Sequence, residues 1–121
     1  MKVLLARCAD DSLPTMNKPA IISEKPGRLK LTVDEFLLLD ESGAFEGYAK
    51  AELLDGEIWI MNAQLTRHAR LKTEFAFELG LVVRAMKTDL RPIIEVASRI
   101  SENSLPEPDI ALTNYAGDDY L

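Results

Sequence analysis

A single cysteine in 121 residues, Cys8, excludes an internal disulfide and a multi-cysteine metal cage, and with them secreted staple scaffolds and zinc fingers. A reducing cytoplasm is the expected setting. Long apolar runs are missing too. The longest are four residues, such as Val3 to Ala6, against the roughly 20 that a spanning helix needs and the roughly 7 to 15 of a signal-peptide core. Neither membrane insertion nor export is expected. Basic residues are in deficit, 14 Lys and Arg against 20 Asp and Glu, so the formal net charge of -6 gives no long-range pull on nucleic acid. The sequence has no Gly-rich phosphate loop, no Gly-x-Ser-x-Gly elbow and no His-x-x-x-His pair, and no histidine stands near Cys8. Nucleotide-binding, serine or cysteine hydrolase and zinc-protease chemistries therefore lack their residues.

What is present is ordinary globular material, 47% hydrophobic and 28% charged, of a length that suits one core. The charge is uneven: residues 1–62 carry net -4, residues 63–99 net +3 and residues 100–121 net -5. A basic middle beside an acidic end could bring a phosphate backbone near a metal, but solvated helix faces give the same pattern.

Residues 1–30 mix short apolar runs with Asp10-Asp11-Ser12, three prolines and Gly27, which sustains no helix or long strand and reads as a mobile arm. Met16 begins a second plausible start, which would leave residues 1–15 outside the fold. Residues 31–121 then read as folded. Thr32-Val33-Asp34-Glu35 is a capping box opening a helix of about two turns, with Phe36, Leu37 and Leu39 apolar and Asp40 to Gly43 stopping it. Tyr48 to Leu54 and Glu57 to Met61 flank Asp55-Gly56, the composition of a type I′ hairpin. From Leu65 to about Lys87 the positions Leu65, His68, Leu71, Phe75, Leu79, Val82 and Met86 recur at three and four, predicting a long helix with one buried stripe. Phe77, Leu81 and Ala85 predict a second covered side, and Gly80 a close backbone approach. Arg91 to Ile100 and Asp109 to Tyr115 predict a last antiparallel pair around the turn-forming residues 101–108. The expected fold is α+β: a mixed or antiparallel sheet, the long helix on one face and the short one at an edge.

This order of elements, with the residues that fill it, resembles the Uma family of restriction endonucleases. Leu31 to Phe36 match the opening helix, Glu52-Leu53-Leu54-Asp55-Gly56-Glu57 the hairpin, His68 the start of the long helix and Pro108-Asp109-Ile110-Ala111-Leu112 the later strand. The resemblance implies the PD-(D/E)XK restriction-endonuclease-like fold and metal-dependent hydrolysis of DNA phosphodiesters, with Mg²⁺ or Mn²⁺ as cofactor. Hard carboxylate oxygens suit Mg²⁺, which activates water and stabilises charge on the phosphorus. On this match Asp109 is the metal ligand, and His68 and Glu52 complete the candidate catalytic set. Departures are also visible. The family continues from the Pro-Asp strand into a strand bearing Glu-Val-x-Ser, a helix and another strand, and here the only acids after Tyr115 are Asp118 and Asp119, in a Gly-Asp-Asp terminus. Ala51 and Asn62-Ala63-Gln64 also differ from the family's usual residues. The chain is expected to hold half an active site, truncated before the second acid.

Each candidate also has a structural reading. A symmetric register through residues 101–108 would set Arg99 opposite Asp109 as an ion pair worth ~0 to 1 kcal/mol. His68 could be a satisfied core or capping histidine, and its partner is not legible. Glu52 could be a solvated strand carboxylate, the reading its alternation with Lys50 and Leu54 favours slightly, or a third acid facing the metal. Glu57 and Glu95 read as surface charges, Arg67 and Arg70 as the nearest bases to recruit. Phe45, Tyr48, Trp59, Tyr115 and Tyr120 read as core before base-stacking platforms. The alternative to a nuclease is a catalytically inactive remnant that binds or assembles, a homo-oligomer or dimer formed through an open sheet edge.

Overall fold

The computed structural model describes residues 1–5, 25–117 and 121. Its elements run β1 (Val3–Leu5), α1 (Val33–Glu41), β2 (Lys50–Leu54), β3 (Glu57–Met61), α2 (Thr66–Ala85), β4 (Arg91–Ile94) and β5 (Ile110–Thr113). The architecture is α+β, as expected. Most of the expected arm, with Cys8 and Met16, falls outside the described residues, as do Asp118, Asp119 and Tyr120.

Helix α1 starts where the capping box puts it. Thr32 Oγ1 accepts from the Glu35 amide at 3.2 Å, and Glu35 Oε2 accepts from the Thr32 amide at 2.8 Å, so two of the helix's orphan donors are satisfied. Strands β2 and β3 form the Asp55-Gly56 hairpin, with Asp55 at φ 49° and Gly56 at φ 80°, the left-handed pair that a type I′ turn requires. Val33, Phe36, Leu53 and Leu105 form the core that joins helix to hairpin. The Phe36 and Phe45 rings stack at 5.1 Å. Leu53 and Leu105 exchange backbone hydrogen bonds, of 3.4 and 2.8 Å, tying the hairpin to the approach of β5.

The second sheet has the order β1-β5-β4, with β1 parallel and β4 antiparallel to β5. Part of the expected arm is therefore sheet: Val3, Leu4 and Leu5 pair with Ile110, Ala111 and Leu112. Three residues suffice because their backbone groups meet the open edge of β5. The β4–β5 ladder leads into a turn at Ser101 to Ser104, tighter than the loop expected over residues 101–108. That moves the register, so Glu95 and not Arg99 faces Asp109, and Arg99 pairs instead with Asp34 at 3.1 Å.

Helix α2 has the expected extent but not the expected buried face. Lys72 and Val83 are its buried residues, whereas Leu65, Leu71, Phe75, Phe77, Leu81, Val82 and Met86 are exposed. Apolar residues recur at helical spacing on several sides of α2, so periodicity does not single out the side that meets β4. Gly80 is not a point of tight approach either, since a Cβ there would lie 3.5 Å from Pro92 Cγ, an ordinary contact. Trp59 is exposed instead of core, because β3 is the outer strand of the hairpin while β2 is covered on both faces; Tyr48, also exposed, lies before β2 and outside the hairpin strands. No helix among the described residues is long and apolar enough to cross a membrane.

Candidate active site

Asp109 sits one residue before β5, after Pro108, whose missing N–H leaves no donor unpaired at the strand's entry. Its carbonyl accepts from Glu95 N–H at 3.2 Å. Oδ2 accepts from the main-chain N–H of Lys2 at 2.6 Å, and Oδ1 meets Gln64 Nε2 at 3.2 Å and His68 Nε2 at 3.3 Å. The Lys72 ammonium stands 3.7 Å from Oδ1. Burial on its own pushes the carboxyl's pKa up. The hydrogen bonds from Lys2, His68 and Gln64 together with the Lys72 charge outweigh it, lowering the pKa from 3.8 to about 2. Asp109 is a partly desolvated carboxylate held firmly in its charged form.

His68 and Lys72 lie four residues apart on α2 and so share one helix face. This face turns to Asp109, and the apolar positions flanking His68 turn outward. Gln64, just before the helix, links the two: its Oε1 accepts from Lys72 Nζ at 3.0 Å while its amide donates to Asp109. Lys72, only 4% exposed, also pairs with the Glu95 carboxylate. Glu95 has φ 52°, a left-handed conformation that costs a non-glycine residue energy and concentrates at functional sites.

Glu52 is fully buried, which overturns its reading as a solvated carboxylate. It lies on β2 beneath the chain's approach to β5. Its Oε2 accepts from Lys2 Nζ at 2.6 Å and Oε1 accepts from the Glu107 amide at 3.2 Å, with Lys50 Nζ 3.6 Å away. Burial raises the pKa of nearby Glu107, and Lys50 opposes the rise. Thus Asp109, Glu52, Glu95 and Glu107 are interleaved with Lys2, Lys50 and Lys72. An open cleft of about 370 Å³ beside this cluster is lined by Gln64, Leu65, Arg67, His68 and Leu71.

The structure brings Asp109 and His68 into contact and joins Glu52 to Asp109 through Lys2. Reading the sequence missed Lys72, Gln64, Lys2, Lys50 and Glu107, and took Glu95 for a surface charge. Lys72 had a signal, the spacing of four that sets it under His68. Lys50 had one as well, its alternation with Glu52 along β2; Lys2 and Glu107 had none, because a strand pairing and a loop far along the chain deliver them.

The donor chemistry is hard oxygen, but the arrangement is not a metal centre as it stands. Among the described residues no three His, Cys, Asp or Glu side chains come together as a group able to hold a metal ion. The two buried carboxylates that could contribute are engaged by Lys2.

A family model described as putative restriction endonuclease, Uma2, matches residues 33–119. The chain belongs to the Uma2 family. The α+β arrangement agrees with the restriction-endonuclease-like fold that this membership implies. No curated protein and no solved structure matches the chain. The Uma2 match takes in Glu52, His68, Lys72, Glu95 and Asp109, and leaves Lys2 and β1 outside it.

Proposed function

We infer that this Uma2 chain hydrolyses phosphodiesters of DNA at a site centred on Asp109. The observation that carries the reading is the Asp109–His68 contact, made beside a cleft to which Arg67 also contributes. With Nε2–H donating to Asp109, the neutral imidazole carries its lone pair on Nδ1, the atom that would take a proton from an attacking water. Lys72 and the hydrogen bonds to Asp109 keep that carboxylate charged, so it orients the ring and stabilises the imidazolium. The Arg67 guanidinium in the cleft suits a phosphate oxygen. Since the net charge of -6 steers no polyanion, DNA binding rests on such local contacts. Family membership makes Mg²⁺ or Mn²⁺ the expected cofactor.

The test is cleavage of supercoiled plasmid and of labelled linear DNA, with Mg²⁺, with Mn²⁺ and with chelator. Asp109→Asn and His68→Gln should each lose about a hundred-fold or more of the wild-type rate, the usual scale of a general-base contribution. Equal cleavage by Asp109→Asn, or none by the wild type, refutes the assignment. The exposed apolar face of α2 and the open edge of β4 favour a second reading, a domain that cuts nothing and assembles with a second copy. Sedimentation equilibrium separates them, because assembly without cleavage selects the second.

A further inference from the structure

Strand β3 carries Glu57-Ile58-Trp59-Ile60-Met61, and among the described residues its only strand partner is β2. Ile58, Trp59 and Ile60 are all exposed. Backbone geometry fixes which groups of β3 face outward. Leu53, opposite Ile58, exchanges its hydrogen bonds with Leu105 on the far side of β2, so Leu53 and Ile58 are a non-bonded pair of the ladder. Bonded and non-bonded pairs alternate in an antiparallel ladder, which turns Glu57, Trp59 and Met61 to β2 and Ile58 and Ile60 to the open edge. The Met61 carbonyl agrees, accepting from Ala49 N–H at 3.1 Å. No described residue bonds to the backbone of Ile58 or Ile60 on the outer side. The strand also has no lysine and no proline, the residues that keep open edges from pairing.

We propose that the β3 edge pairs with the same edge of a second copy, antiparallel and centred on Trp59, to form one continuous four-stranded sheet. In that register Ile58 of each copy faces Ile60 of the other, and every outward N–H and C=O of these residues finds a partner. A shift of one residue sets outward groups against inward ones, and a shift of two runs into the turn at Gly56 or past the strand at Asn62. Charge fits the same register. Glu57 is the strand's one ionisable residue, it is paired with Arg28 at 3.6 Å, and it meets Met61 of the second copy instead of another glutamate. Packing fits as well: Ile58 lies beside Leu53 and Ile60 beside Ala51, so the facing isoleucines extend the sheet face that packs on α1. Growth stops at two copies, because the outer edge of β2 is already bonded at Leu53 to Leu105. The contact covers on the order of 400 Å² per copy, about half of a standard interface, so the dimer is reversible and micromolar. It is distinct from any contact through α2 or β4, and it does not rest on the nuclease reading.

Sedimentation equilibrium of the full chain from about 5 µM to 1 mM should show a monomer–dimer equilibrium. Over the same range, amide hydrogen exchange at Ile58 and Ile60 should slow with concentration, while Leu81 and Val82 of α2 stay unchanged. Ile60→Lys, at an exposed position, should weaken the dimer by about ten-fold or more. A non-bonded pair at Trp59 brings the two Cα atoms to about 4.5 Å, within disulfide reach. Trp59→Cys combined with Cys8→Ser should therefore link two copies on oxidation, and Ile58→Cys in the same background should not. A monomer throughout overturns the proposal. So does a dimer whose Ile58 and Ile60 amides stay unprotected, or a Trp59→Cys variant that links no faster than Ile58→Cys. If Ile60→Lys fails to fold, the wild-type exchange and the two cysteine variants still decide. DNA cleavage is measured separately: its loss leaves this dimer standing, and a strictly monomeric nuclease removes the dimer alone.

Discussion

Asp109→Asn is expected to be less stable than the wild type by about 2 kcal/mol near pH 7, with the gap closing in acid. The folded carboxyl ionises at about 2 instead of 3.8. At ~1.4 kcal/mol for each tenfold change in proton affinity, that difference favours the native state by ~2 kcal/mol once the group is charged. Because the folded value is the lower one, the unfolded chain binds more protons between the two, and stability rises with pH there. The contribution is complete above 3.8 and disappears as the pH falls through that value towards about 2. The side chain is only 10% exposed, so solvent screening takes little from the figure. Asparagine keeps one acceptor oxygen but turns an NH₂ towards a site already filled with donors from Lys2, Gln64, His68 and Lys72. Urea denaturation of both proteins at several pH values between about 7 and 3 gives the two curves. A gap that is absent at neutral pH, or as wide near pH 3 as near pH 7, would refute the assignment of Asp109 as a carboxylate held by these partners.

Gly56→Ala should cost about 2 kcal/mol or more, since the turn holds φ at 80° and a Cβ would lie 2.6 Å from Lys30 Cβ and 2.8 Å from Lys30 Cα; a thermal melt unchanged from wild type would contradict this. Gly80→Ala should instead stabilise by roughly 0.5 to 1 kcal/mol, because the added methyl replaces helix-interior glycine and meets only an ordinary contact with Pro92; chemical denaturation reads the gain, and a loss would show that α2 packs closer to β4 than described. Leu53→Ala, at a fully buried position that links α1 to the hairpin, should cost about 2 to 5 kcal/mol in the same assay.

The parts of the fold legible from sequence are those whose cause is local. Thr32 and Glu35 satisfy each other's backbone within one turn, and Asp55-Gly56 sets its own dihedral angles, so neither needs the rest of the chain. Arg99 shows where local reasoning stops. Its partner depends on whether the chain reverses at Ser101 to Ser104 or over a wider loop, and several turn-forming residues in that stretch permit either. The face of α2 is the same problem in a helix, because side chains of similar hydropathy surround it and only the position of β4 selects Lys72 and Val83 for burial. At the candidate site, the Pro-Asp step and His68 could be found as residue types in an order. Glu52 could not be recognised as buried, since the lysine that engages it, Lys2, lies 50 residues away in the chain, just before β1.

The parallel pairing of β1 with β5 also sets a schedule for synthesis. Lys2 and Asp109 are 107 residues apart in the chain, so at roughly 5 to 20 residues per second the first strand waits about 5 to 20 s on the ribosome before its partner is made. During that interval Val3 to Leu5 offer bare apolar side chains and unpaired amides to whatever strand edge passes. The third strand of this sheet is thus the first to be translated and among the last able to fold. Pairings of such long sequence separation are those that slow folding, through the entropy of closing the chain between them.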